Sequence, residues 1–124
     1  MRNRTTKGMT SAVDLQMLLS NSDRTHEQKL ALFAWLSLGI VESLVNGLMT
    51  ATDAVRIFFN AKNSLFVRRD LTERRAEAIM SHGVQLADLF DALPGEQAQQ
   101  EFQRELAAIR SLCLSILEEK RLAA

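Results

Sequence analysis

LALFAWLSLGIVESLVNGLM, residues 30–49, is the stretch whose reading decides the fold. It is apolar almost throughout, and Glu42 is its only charged residue. Wound into a helix at about 100° per residue, it sorts into two sides. Gln28, Gly39, Glu42, Ser43 and Asn46 share one narrow stripe, while Leu30, Phe33, Val41, Leu44, Val45 and Leu48 cover the opposite side. A lone membrane-spanning helix has no reason to keep a carboxylate, an amide and a hydroxyl in register. A central carboxylate there costs about 2.5–3.5 kcal/mol. The run is only just long enough to span, and no basic cluster at one end sets an orientation. The expectation is a soluble core helix, buried over about two-thirds of its circumference, with no membrane insertion.

Two readings of the polar stripe remain, because Leu32 and Trp35 flank it. A neighbouring helix would bury Glu42 and require a cationic partner for it, such as an arginine from the fourth helix. A second protein would instead make Trp35, Gly39, Glu42, Ser43 and Asn46 interface residues, with the tryptophan as anchor. The second is preferred.

Composition agrees with a folded helical domain. The 124 residues suffice for one domain with its own core. Fifteen basic and 15 acidic side chains leave no net field to draw nucleic acid or an anionic membrane. The single cysteine, Cys113, excludes an internal disulfide framework and any multi-thiolate zinc site, and it points to a reducing, cytoplasmic setting. Tyrosine is absent and Pro94 is the only proline, so strand and turn signals are few.

Outward from the central run the elements follow from caps and periodicity. Residues 1–11 are polar, basic and aperiodic, and read as a flexible arm with no secretory signal. The remaining 12–124 read as one helical-bundle domain. Ser11 with Asp14 suggests a capping box for a short first helix ending at the turn 20–23, and Thr25 with Gln28 a second one for a helix over 26–49. A third element is expected over 53–63, burying Val55, Ile57, Phe58 and Phe59, with Asn60, Asn63 and Ser64 weakening its end. A fourth starts near 71 or 72 and runs to about 93, where Pro94-Gly95 stops it; Gly83 inside it marks a kink or a close helix contact. The fifth runs from about 96 to the C-terminus. Its Phe102, Leu106, Ile109, Cys113 and Ile116 recur at spacings of four, three, four and three, the seam of an antiparallel bundle helix.

The expected fold is therefore all-α, a bundle of about five helices with a long central helix and a C-terminal antiparallel hairpin. Its core should hold Leu18, Phe33, Val41, Leu44, Val45, Phe58, Ile79, Leu86, Phe90, Phe102, Leu106, Ile109, Cys113 and Ile116.

Little in the chain carries chemistry. There is no glycine-rich phosphate loop, no nucleophile elbow and no paired Glu-x-x-His, so no cofactor and no metal site are expected. Lys62, Arg68, Arg69, Arg74 and Arg75 form the densest basic segment, able in principle to grip phosphates. Asp70, Glu73 and Glu77 interleave with them, with Asp70 and Arg74 spaced to pair along a helix. A self-neutralised solvated face is the preferred reading, and nucleic acid is not the expected partner.

Arg75 and His82 project from the same side of the fourth helix, six residues lying between them. This pair resembles the short motif of the HEPN ribonucleases. The resemblance implies a dimeric helical bundle in which arginine stabilises the charge on the phosphate and histidine moves the proton of an attacking ribose hydroxyl. It covers residues 75–82 alone, and Ala76 stands where that family places a polar residue. The preferred reading is a solvated Arg75 and a boundary His82 bonded across to another helix. Function is expected to be a non-enzymatic interaction or regulatory module acting through protein contacts and self-associating as a dimer. A metal-independent ribonuclease using Arg75 and His82 is the alternative.

Overall fold

A computed structural model of the chain describes residues 12–20 and 23–123. The fold is all-α: among those residues there are seven α-helices and no strand. The expected arm at 1–11 and the Ser11 cap lie outside them. The first helix, α1 (Leu15–Leu19), is capped instead by Asp14, whose carboxylate accepts the Met17 N–H at 3.1 Å.

The long helix α2 (His26–Val45) begins as its capping box requires: Thr25 Oγ1 accepts the Gln28 N–H and Gln28 Oε1 accepts the Thr25 N–H. It ends four residues before the expected stop. Gly47 takes φ 70°, its N–H donates to Leu44 O, and the Leu48 N–H donates to Ser43 O. That is the two-bond helix exit that a left-handed glycine permits. Asn46 reinforces it by donating from Nδ2 to Glu42 O at 2.8 Å.

The expected third element is two helices, α3 (Ala51–Ile57) and α4 (Ala61–Phe66). Phe58 and Phe59 are both fully buried, with their rings in a T-shaped contact at 5.1 Å. The chain leaves the helix at Phe58, and Asn60 caps the restart by accepting the Asn63 N–H. Val55 and Ile57 are only half-buried. From α4 the chain widens into a π-helical turn, Val67–Leu71, which keeps both Val67 and Leu71 in the core. The His26 Nε2–H donates to the Leu71 carbonyl at 2.6 Å, and Thr72 leaves the turn at φ 43°.

The expected fourth helix is also divided, into α5 (Arg74–Val84) and α6 (Leu89–Ala92). A Cβ on Gly83 would stand 2.1 Å from the Phe59 ring, so α5 passes there at the closest approach a helix allows. Beyond it Leu86, fully buried within a turn, anchors the exit. Finally α7 (Gly95–Ala123) runs back antiparallel to α5 and also packs along α2. Phe102, Leu106, Ile109, Cys113 and Ile116 are all buried, as their seam implies.

Asn63 joins the small elements to one another. Its Nδ2 donates to Val13 O at 2.8 Å and Phe58 O at 2.9 Å, and its Oδ1 accepts the Leu15 N–H at 3.1 Å. A residue expected only to weaken a helix end is in fact a buried hinge pin.

Candidate functional site

The outer face of α2 is open. Leu30, Phe33, Ala34, Ser37, Val41 and Leu44 face the core, a narrower stripe than the two-thirds of circumference expected. Trp35, Gly39, Glu42 and Asn46 are exposed, Ser43 is half-buried, and no other helix covers them. Trp35 is 58% exposed. Glu42 therefore needs no buried arginine; among the described residues its carboxylate accepts a single long contact, 3.5 Å from Asn46 Nδ2. Leu32, Leu36 and Leu38 flank the stripe half-buried, and Val45 and Leu48 stand exposed at the end of the run.

Nothing among the described residues explains Gly39. It lies in the middle of α2, and a Cβ built on it meets nothing within 4 Å. An exposed mid-helix glycine costs about 1 kcal/mol relative to alanine, and none of the described residues uses the space it leaves. By length and composition α2 is the one helix among the described residues apolar enough to cross a membrane, and a third of that window is buried in the bundle.

Three residues expected in the core stand outside it: Leu18, Val45 and Phe90. Helix α1 is so short that only Leu15 and Leu19, four apart, reach its docking face. Val45 sits where α2 ends, bordering a groove with Val41, Gln103, Leu106, Ala107 and Arg110. Phe90 packs one side of its ring on Phe102, at 5.2 Å, and turns the other toward an open groove of about 430 Å³ lined by Leu44, Met49 and Ala87. The Asn46-Gly47 pair was the available signal that the helix stops and leaves Val45 and Leu48 on its rim.

Arg75 and His82 both lie on α5 and face α7. The guanidinium of Arg75 meets Glu73 at 2.6 Å and Glu119 at 3.0 Å, and also donates to Ser115 Oγ at 3.1 Å. Hydrogen bonding to Glu73, partly opposed by burial, raises the pKa of Arg75 further. Burial disfavours the Glu73 carboxylate, yet the Arg75 guanidinium and the backbone N–H groups of Arg75 and Ala76 outweigh it and hold the carboxyl below its usual range. Stability from this pair is complete above the ordinary value of 4.5 and is lost as pH falls through the lower folded value. His82 Nδ1 lies 2.8 Å from Glu105 Oε1, across to another helix. A phosphate approaching Arg75 would have to displace two carboxylates, so the pair as placed works as a clasp between α5 and α7.

The basic segment does not gather. Lys62 pairs with Asp14 at 3.0 Å. Arg68, Arg69 and Arg74 are exposed and in no ion pair among the described residues. The expected Asp70–Arg74 pairing along one helix is absent because Thr72 interrupts the helix between them. Arg68 and Glu77 border a cleft of about 130 Å³ with Ser64 and Ser81, room for a few waters.

Among the described residues no group of three or more His, Cys, Asp or Glu is placed to hold a metal ion. Burial pushes the Cys113 thiol up to about 12. In the folded protein it should react with a disulfide reagent at roughly a hundredth of the unfolded rate or less, since exposure requires opening of the bundle. Stopped-flow labelling with and without urea checks this, and equal rates would refute it.

No family model, curated protein or solved structure matches the chain.

Proposed function

We propose that this domain is a non-enzymatic helical interaction module that self-associates through the outer face of α2. One observation carries the reading: the chain's only tryptophan stands exposed at the middle of its most apolar helix. Large aromatic side chains ringed by smaller apolar groups are where protein interfaces concentrate their binding energy. Leu32, Leu36 and Leu38 provide that ring, and Gly39 with Ser43 provides a shallow place for a partner side chain.

The tryptophan is also the probe. Its emission should move to shorter wavelength as protein concentration rises, in step with an increase in mass by light scattering. Trp35→Ala should weaken association about thirtyfold, the effect of losing a hot-spot residue worth about 2 kcal/mol, while leaving helicity unchanged. A monomeric mass with water-like emission at every concentration would remove this reading.

A further inference from the structure

Resting on the self-association just proposed, we infer that the occupant of the α2 face is a second copy of the chain, packed antiparallel about a two-fold axis at the level of Ser37. In this arrangement Trp35 of each copy fills the space above Gly39 of the other.

The spacing of the exposed stripe selects this geometry. Residues 28, 32, 35, 39, 42 and 46 recur at four, three, four, three and four, which is a two-helix seam. The set is its own mirror about position 37. Antiparallel pairing therefore brings Gln28 opposite the partner's Asn46, Leu32 opposite the partner's Glu42, and Trp35 opposite the partner's Gly39. The Gln28–Asn46 and Trp35–Gly39 layers are each complementary in themselves. The largest side chain meets the one position with no side chain, and beyond the backbone of α2 itself none of the described residues comes within 4 Å of a Cβ built there.

The end layers match in hydrogen bonding. Gln28 Oε1 already accepts from Thr25, which leaves its amide NH₂ to donate. Asn46 Nδ2 already donates to Glu42 O, which leaves its Oδ1 to accept. Glu42 forms no ion pair among the described residues. The carboxylate then turns outward while its stem covers Leu32. Leu36 and Leu38, one on each flank of the seam, meet their own counterparts across the axis. Parallel packing would instead stack Trp35 on Trp35, leave a void at Gly39, and oppose Glu42 to Glu42.

Single cysteines test the register, with wild-type protein as the control for the buried Cys113. Leu38→Cys places the two thiols beside the axis, so a short bismaleimide should link the copies. Asn46→Cys places them about 27 Å apart, so it should not. Gly39→Leu fills the space reserved for Trp35 and should weaken association at least tenfold without loss of helicity. Linking at 46 and not at 38, or association unchanged in Gly39→Leu, would overturn the antiparallel arrangement while leaving the interaction module standing. A wild-type protein that never associates would overturn both.

Discussion

Asn63→Ala is expected to destabilise the fold by about 3–5 kcal/mol. The side chain closes three hydrogen bonds, and its loss leaves the Leu15 N–H and the Val13 and Phe58 carbonyls without it in a buried setting. An unpaired buried backbone group costs about 1–3 kcal/mol, and water cannot readily replace a side chain that is 1% exposed. Domains of this size have only about 5–15 kcal/mol in hand, so the midpoint of urea unfolding should fall steeply. The separation should be spatial as well. Loss of Asn63 frees α1 and the break at Phe58 before it disturbs the α5–α7 pairing, so amide exchange should quicken first at Leu15. Asn63→Asp keeps the acceptor for Leu15 but turns a carboxylate oxygen toward the two carbonyls that the amide served, in a buried setting, so at neutral pH it should cost at least as much as alanine. A shift under about 1 kcal/mol in Asn63→Ala would show that the three contacts do not act as described.

Gly83→Ala should cost about 2–3 kcal/mol net, overpacking outweighing the gain in helix propensity. The added carbon falls 2.1–2.5 Å from three atoms of the Phe59 ring. That ring is fully buried and touches Phe58, which in turn stacks on Phe33. It has no solvent direction in which to yield. Gly39→Ala is the matched opposite: the same chemical change in an open helix position should raise monomer stability by about 0.5–1 kcal/mol. Thermal or urea unfolding of the two variants at a dilution where the protein is monomeric decides the pair. Phe59→Leu should recover part of the loss in Gly83→Ala; additivity of the two single effects would mean that the ring is not what Gly83 accommodates.

The central helix and the seam of α7 were legible because each repeats a periodic signal over many residues. Thr25 with Gln28, and Phe102 through Ile116, are arranged as their spacing implied. Legibility failed where a decision was local and two neighbours competed. Phe58 and Phe59 are both fully buried with their rings at a right angle, and the expected third element breaks in two between them and Ala61. Gly83 was readable as a close contact, but its partner was not, because Phe59 lies 24 positions away in the sequence. Asn63 read only as one of three residues weakening a helix end, since a single sequence does not reveal which distant backbone groups an amide will satisfy.

The candidate site divides in the same way. Sequence by itself determined that Trp35, Gly39, Glu42, Ser43 and Asn46 share one side of a helix, because a helix fixes which residues lie above one another. Whether that side was covered could not follow from periodicity, which knows only the helix's own geometry. The tertiary structure decided it: α7, α5 and the short helices pack on the opposite side of α2 and leave the stripe open. Packing is set by which apolar faces meet once loops such as Asn46-Gly47 have turned the chain, and that depends on the whole molecule.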